Sequence, residues 1–191
     1  MINLLRELKG DYNDLLGAAG EIIVADYINN LPDDVTATRF ADKYETSGDL
    51  ELSNGKIIEV KTQLAKVFGR PDDTSNGKYN VHYTIPFIHF SGLVHSNQIE
   101  KAQSADYLMF VPVPYLDENT VTILSAPPAG QRNFLKRYNG EAKDYRYEIS
   151  EHDMEVISSF EDAEVAKWLR DHSKNGYNEA FARRKSWARI Y

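Results

Sequence analysis

The strand pattern of residues 56–63, together with the turn before it, constrains the fold more than any other part of the sequence. Apolar side chains there alternate with Glu59 and Lys61, so one face of the strand is apolar and the other is charged. An Asn-Gly pair precedes the strand, and this pair is typical of tight hairpin turns because both residues tolerate a positive φ. The pattern predicts a hairpin between residues 49–52 and residues 56–63.

The remaining sequence alternates between helical and strand patterns. Apolar residues recur at helical spacing over residues 13–30, and this predicted helix ends where Pro32 cannot continue it. The other predicted strands are residues 35–40, 81–90, 107–113 and 120–124, and the other predicted helices are residues 97–104, 161–172 and 177–190. Strands enclosed by helices indicate an α/β fold with a central mixed β-sheet, flanked by the first helix on one side and by the C-terminal helices on the other.

The length of the chain sets the domain organisation. A chain of 191 residues fits one compact domain, so we expect residues 1–191 to form a single unit. Residues 64–79 are rich in glycine and aspartate, and we predict a long loop there. We interpret residues 64–95 as an insertion into the core of the domain and residues 161–191 as C-terminal helices.

The composition excludes several classes of protein and of site. The chain has no cysteine, which excludes disulfides, thiolate nucleophiles and cysteine-bound zinc. It has no run of ~18 apolar residues, so no membrane span is expected, and residues 1–10 lack the apolar stretch of a signal peptide. We therefore expect an intracellular, cytoplasmic protein. No glycine-rich phosphate-binding motif is present, which argues against a nucleotide cofactor.

The charge of the chain is unevenly distributed. Residues 167–191 contain seven lysines and arginines against two acids, a charge of +5, so residues 1–166 carry −12 of the total of −7. A basic end on an acidic body can grip a polyanion such as DNA, although a solvated terminal helix explains the same pattern.

The acidic residues of the predicted hairpin form the candidate site. Cross-strand partners lie ~4.5–5.5 Å apart, so Asp49 can approach Glu59 or Lys61. Two converging carboxylates repel each other unless a cation neutralises them. Because oxygen ligands suit hard cations, the pattern predicts a Mg²⁺ site at which Mn²⁺ could substitute. The alternative is a surface ion pair on an exposed hairpin.

The hairpin contains two strings, Gly48-Asp49-Leu50 and Ile58-Glu59-Val60-Lys61-Thr62. Together they resemble the core of the PD-(D/E)XK nucleases, which have a restriction-endonuclease-like fold. The match covers residues 13–63 and has Gly48 where the family usually has proline. Glu21, on the preceding helix, falls where archaeal-type Holliday junction resolvases carry a further glutamate. Residues 98–110 resemble, more loosely, the helix and strand that follow in such folds.

The resemblance implies a role for each residue of the site. Asp49 and Glu59 would bind the metal, with the carbonyl oxygen of Val60 as a third ligand. Lys61 would orient the attacking water or stabilise the pentacovalent phosphate. Glu21 would bind a second metal or hold a water in the outer sphere, and its alternative role is that of a solvent-facing helix residue.

The residues after the motif are candidate contacts for DNA. Gln63 would help to position the DNA backbone. Lys66, Arg70 and Lys78 would contact phosphates, unless they are only the scattered charges of a loop.

The resemblance thus implies a metal-dependent DNA endonuclease of the restriction type. Two alternatives stay open, namely a structure-specific nuclease that resolves Holliday junctions and a non-catalytic nucleic-acid-binding module of the same fold. One site per chain is compatible with a homodimer, because cutting both strands with one site each needs two subunits.

Overall fold

A computed structural model describes residues 1–10, 12–40, 48–64, 71–72, 80–81, 87–90, 96–114, 119–132, 134–138, 145–150 and 153–173. The helices in these residues are α1 (Ile2–Arg6), α2 (Tyr12–Asn29), α3 (Ser96–Ser104) and α4 (Ala163–His172). The strands are β1 (Ala37–Arg39), β2 (Leu50–Leu52), β3 (Ile57–Leu64), β4 (Pro71–Asp72), β5 (Asn80–Val81), β6 (Phe87–Phe90), β7 (Tyr107–Val113), β8 (Thr120–Ser125), β9 (Leu135–Tyr138), β10 (Tyr145–Ser150) and β11 (Glu155–Glu161).

The main sheet has six strands in the order β1-β2-β3-β7-β8-β11. Strands β3 and β7 are parallel, and every other neighbouring pair in this sheet is antiparallel. The long connection between these two parallel strands contains β4, β5, β6 and α3. Parallel strands need such a crossover because a tight turn can join only antiparallel strands. The predicted α/β fold with a central mixed sheet flanked by helices is confirmed.

The hairpin of β2 and β3 forms where the turn sequence predicts it, although Gly55 and not Asn54 has a positive φ. Leu50 lies opposite Ile58, and the N–H of Leu52 donates to the carbonyl of Lys56 at 2.8 Å. Gly55 adopts a φ of +80°, a conformation that residues with a side chain rarely take. The side-chain oxygen of Asn54 accepts from the N–H of Lys56 at 3.2 Å, which closes the turn.

One face of the main sheet packs against α2 and α4 together. Their buried residues belong to the same apolar cluster as those of β2, β3 and β7. The cluster includes Ile23, Val24, Leu50, Ile58, Val60, Val111, Val165 and Leu169. The prediction that C-terminal helices flank the opposite side is therefore wrong for α4, because its buried face completes the layer that α2 begins.

The opposite face is covered by α3 and by a strand of the second sheet, whose order is β6-β10-β9. Ala102 of α3 and Ile149 of β10 pack there against Leu108, Phe110 and Leu124. Strands β9 and β10 were not predicted from the sequence, so the C-terminal helices were expected to cover this face. The 64–95 segment supplies β6 to the same second sheet.

Side chains near the end of α2 bind the backbone at both edges of the main sheet. At β1, the side-chain amide of Asn29 donates to the carbonyl of Ala37 at 3.1 Å and accepts from its N–H at 2.7 Å. At β11, the hydroxyl of Tyr27 donates to the carbonyl of Ile157 at 3.2 Å, where the register of β11 shifts. Because Tyr27 and Asn29 are two residues apart, the sheet must curve around this end of the helix.

The predicted boundaries agree with the structure where the pattern was regular. Strand β7 matches the prediction residue for residue, whereas β11 was missed and includes Glu161, which was predicted to begin a helix. The predicted strand 81–90 corresponds to β5 and β6, and residues 82–86 between them lie outside the described residues. The predicted helix 177–190 lies outside them as well. Within the described ranges, none of the helices has the length and apolar character that crossing a membrane requires.

Candidate active site

Asp49 immediately precedes β2, at the open end of the hairpin, and is fixed against β3. Its N–H donates to the carbonyl of Ile58 at 2.9 Å, and its carboxylate oxygen Oδ2 accepts from the N–H of Val60 at 2.8 Å. The side chain thus acts as a hydrogen-bond acceptor for β3 one residue before β2 begins, where a backbone carbonyl would otherwise accept. This double attachment holds the carboxylate against the central strand.

Gly48 allows this close approach. A Cβ atom at position 48 would lie 2.4 Å from Cγ2 of Ile57 and 2.9 Å from the carbonyl oxygen of Ile58. The side-chain carbon could shift, but the backbone oxygen belongs to the same ladder that fixes Asp49. The structure therefore gives a local reason for glycine at position 48.

Glu59 is a buried carboxylate whose two oxygens have different surroundings. The residue is 2 % exposed. Its Oε1 accepts a hydrogen bond from the ammonium of Lys61, whereas its Oε2 is buried and has no hydrogen-bond partner among the described residues. Leaving a buried polar atom unsatisfied costs about 1–3 kcal/mol, and more when the group is charged. Such a group marks a candidate functional site.

The electrostatic surroundings of Glu59 favour its protonated form. Burial is the largest cause that raises its pKa, and the neighbouring charge of Asp49 raises it further. The charge and hydrogen bond of Lys61 lower the pKa, as does the charge of Lys101, but the net direction is upward. The free energy of the ionised form would fall if a cation reached Oε2.

The carbonyl of Val60 lies on the same edge of β3 as Asp49. The N–H and C=O of one strand residue leave on the same edge, and the N–H of Val60 is bound to Asp49. The neighbouring residues Glu59 and Lys61 direct their backbone groups to the other edge, where β7 runs parallel. Val60 therefore places its carbonyl oxygen on the edge of β3 to which the Asp49 carboxylate is bound.

These donors fit a hard divalent cation. Mg²⁺ binds oxygen and commonly uses one or two carboxylates, leaving its other positions for water and phosphate. No group of three or more His, Asp or Glu side chains gathers in the part of the chain that the structure describes. Two carboxylates, one of which carries the unsatisfied Oε2 of Glu59, and one carbonyl meet the requirement of Mg²⁺ without a third acidic side chain.

Glu21 is held elsewhere, by Arg39 of β1. One oxygen of Glu21 accepts from Nη2 of Arg39 at 2.6 Å and from its Nε at 2.9 Å. Glu21 is 6 % exposed, so the alternative of a solvent-facing helix residue is wrong. This pair lies on the α2 side of the sheet, whereas Glu59 points to the opposite face, and Glu21 is not among the charges that shift the pKa of Glu59. Its role as a metal ligand stays a prediction.

Lys101 of α3 is a residue of the site that the sequence analysis missed. In the parallel ladder, Glu59 is the partner of Leu108 and Lys61 is the partner of Phe110, so all four side chains share a face. Ala102 packs on Leu108 and Phe110, which places α3 over that face. Lys101 adjoins Ala102, and its charge reaches Glu59. No sequence signal showed which side of α3 faces the hairpin.

Arg132 fixes the end of α3 relative to β3. Its Nη1 donates to the carbonyls of Ala102 at 2.7 Å and Ala105 at 2.8 Å, and its Nη2 donates to that of Asp106 at 3.0 Å. The carboxylate of Asp106 in turn accepts from the N–H of Ile57 at 2.8 Å. Burial lowers the pKa of the Arg132 guanidinium, which its carbonyl acceptors stabilise. Helix and strand are thus connected through the half-buried guanidinium of Arg132 and the carboxylate of Asp106.

The predicted DNA contacts are not placed by the structure. The backbone of Gln63 pairs with Pro112 in the ladder, but its side chain lies outside the described residues. Lys66, Arg70 and Lys78 also lie outside them, as do residues 174–191 with most of the basic C-terminal charge. These contacts stay predictions.

Comparison with protein-family models found no match to this chain, and comparison with curated proteins found none either. The function is therefore inferred from the geometry of Asp49, Glu59 and Lys61.

Proposed function

We propose that this chain is a Mg²⁺-dependent endonuclease that hydrolyses DNA phosphodiester bonds, with Asp49, Glu59 and Lys61 at its active site. The observation that carries the proposal is the buried carboxylate of Glu59. One of its oxygens is bound by Lys61, and the other has no hydrogen-bond partner among the described residues while Asp49 stands beside it. A buried carboxylate with one unpaired oxygen lowers the stability of the protein unless a cation is bound to that oxygen.

The order of the helices and strands supports assignment of the chain to the PD-(D/E)XK nucleases. Helix α2 precedes the strands β1, β2 and β3, and α3 then leads to the parallel strand β7. A helix before the acidic hairpin and a helix with a strand after it are the features in which the sequence resembles restriction-endonuclease-like proteins. The proposed assignment to the PD-(D/E)XK nucleases rests on this order together with the three site residues.

In the proposed reaction the carboxylates of Asp49 and Glu59, with the carbonyl of Val60, would hold Mg²⁺, which would supply Lewis acidity at the phosphate. Hydrolysis consumes one water, whose oxygen forms a bond to phosphorus while the sugar oxygen leaves with its electron pair and takes up a proton. Lys61 lies two residues from Glu59 on the same face, so its ammonium can hydrogen-bond the phosphate oxygens as their negative charge grows.

The site also excludes water on one side. Glu59 is buried beside Leu108 and Phe110 on the face that α3 covers, whereas the Lys61 side chain is 27 % exposed. A substrate phosphate would therefore approach along Lys61, at the open side of the site. Electrostatic interactions are stronger at such a partly desolvated position than in bulk water.

A plasmid-nicking assay tests the proposal with Mg²⁺, with Mn²⁺ and with EDTA. We expect the wild type to nick DNA with either metal and not with EDTA, and we expect Asp49→Asn and Lys61→Ala to reduce the rate by about 10²–10³-fold. Glu51→Gln and Lys56→Gln are matched controls on the same hairpin, because both residues are exposed, and they should leave the rate unchanged. Nicking that persists at the wild-type rate in both site variants would exclude the proposed site.

A further inference from the structure

We infer that Lys101 of α3 is a second cationic residue of this site and contacts a DNA backbone phosphate next to the bond that is cut. This inference rests on the proposed function and adds a substrate contact from a second element of the fold. According to this inference, Lys61 contacts the substrate from the sheet, and Lys101 contacts it from α3, the helix that covers this face of the sheet.

The position of Lys101 follows from the packing of α3. Ala102, the next residue, is 1 % exposed and packs on Leu108 and Phe110, the ladder partners of Glu59 and Lys61. Lys101 is half-buried at the margin of this contact. A long side chain at such a position covers apolar surface with its methylene groups and brings its ammonium to the open side.

The backbone that carries Lys101 is well anchored. The N–H of Ala105 donates to the carbonyl of Lys101 at 3.0 Å, and Arg132 binds the carbonyls of Ala102 and Ala105 on the same turn. Asp106, just after the helix, is bound to the N–H of Ile57 at the start of β3. A residue that contacts substrate requires such a rigid support, because a loosely held cation gives little orientation.

The charges of the site explain why a second cation is needed. Asp49 and Glu59 are two negative groups, and the ammonium of Lys61 is already bound to Glu59. A phosphodiester that approaches this face meets carboxylate repulsion as well as attraction. A lysine on α3, the helix over this face of the sheet, offsets that repulsion where the phosphate enters.

A structural role for Lys101 makes a different prediction. Lys101 lies in the last turn of α3, where a positive charge stabilises the negative end of the helix. If that were its only role, its replacement would lower the stability of the protein and leave DNA binding unchanged. The salt dependence of DNA binding separates the two roles, because each lysine–phosphate contact releases counterions.

The experiment measures the affinity of the full chain for a DNA duplex in EDTA, over a series of salt concentrations. We expect Lys101→Gln to make the slope of log K against log [salt] shallower by about 0.9, the value for one phosphate contact on B-DNA. Lys101→Arg should keep the wild-type slope. Arg6→Gln is the control, because Arg6 is exposed on α1, which packs with α2 and α4 on the other side of the sheet, and its slope should equal that of the wild type.

The outcomes distinguish this inference from the proposed function. If the wild type nicks DNA but Lys101→Gln keeps the full slope, Lys101 does not contact phosphate and only the inference fails. If the wild type neither nicks nor binds duplex DNA, the proposed function fails and the inference fails with it. Thermal unfolding of each variant, measured in parallel, shows whether a change of slope comes from a folded protein.

Discussion

Lys61 donates a hydrogen bond to Glu59, two residues earlier on the same strand, and this bond satisfies only one oxygen of a carboxylate that is 2 % exposed. The pair is therefore an incomplete ion pair. Replacing Glu59 removes a buried charge, whereas adding a divalent cation completes the set of partners. We therefore expect replacement of Glu59 to raise the stability of the metal-free protein and to weaken metal binding.

Glu59→Gln should stabilise the metal-free protein. The substitution removes a buried charge with one unsatisfied oxygen and keeps the volume of the side chain, so we expect the free energy of unfolding to rise by about 1 kcal/mol at neutral pH. Lys61 stays solvated because its side chain is partly exposed. Urea unfolding in EDTA measures the change, with Glu51→Gln as the exposed control. A loss of stability in Glu59→Gln would contradict this account of the site.

The stability of the wild type should depend on pH through Glu59. Its pKa in the folded protein lies above the value of about 4.3 in an unfolded chain. Between these two pKa values the folded state binds more protons, so the free energy of unfolding falls as pH rises through this window. We expect the difference between the wild type and Glu59→Gln to show this fall. A difference that is constant from pH 4 upward would count against the raised pKa.

Mg²⁺ should stabilise the protein through the same carboxylates. A ligand at 100 times its Kd that binds only the folded state adds about 2.7 kcal/mol to the free energy of unfolding. We expect the midpoint of thermal unfolding to rise with Mg²⁺ or Mn²⁺ in the wild type and to stay constant in Asp49→Asn and Glu59→Gln. Equal metal-induced shifts in all three proteins would place the metal elsewhere.

The ion pair of Glu21 and Arg39 should contribute to stability. Glu21 is buried and Arg39 about one third exposed, so Glu21→Ala leaves a partly buried guanidinium without this partner. After allowance for solvent screening at Arg39, we expect a loss of about 1–2 kcal/mol in urea unfolding. Arg6→Ala is the comparison, because the Arg6 pair with Glu164 is exposed on both sides and should matter little. Similar small losses in both variants would contradict the prediction.

Gly20 and Gly17 of α2 should respond in opposite ways to alanine. A Cβ at Gly20 would lie 1.6 Å from Oγ1 and 3.0 Å from Cβ of Thr62, whereas a Cβ at Gly17 meets nothing within 4 Å. Gly20→Ala should therefore cost about 1–3 kcal/mol by overpacking, and Gly17→Ala should add up to about 1 kcal/mol from helix propensity. Denaturant unfolding of both variants measures the contrast. A stabilising Gly20→Ala would show that α2 can move away from β3.

The hairpin and the approach of Asp49 to Glu59 could be predicted from sequence because they depend on local rules. The Asn-Gly turn and the alternation of side chains set the register over about a dozen residues. Arg132 and Lys101 could not be predicted in the same way. They are separated from β3 in sequence, and their roles follow from how α3 lies over the sheet.

The face of the main sheet on which α4 packs could not be predicted from the sequence either. Its amphipathic pattern predicts a helix with one buried face but does not say which face of the sheet receives it. The answer depends on α3 and β10, which already cover the other face. Strand β11 escaped prediction because its edge position leaves most residues exposed or half-exposed, including Val156, which is 60 % exposed.

The hydrogen bonds from Asn29 to Ala37 and from Tyr27 to Ile157 have a consequence for association. The outer strands of a sheet ordinarily offer unpaired backbone groups to which another chain can add a strand. Here an incoming strand would have to displace a side chain of α2 at Ala37 or at Ile157 before it could pair there. Self-association by strand addition is therefore disfavoured at these two positions.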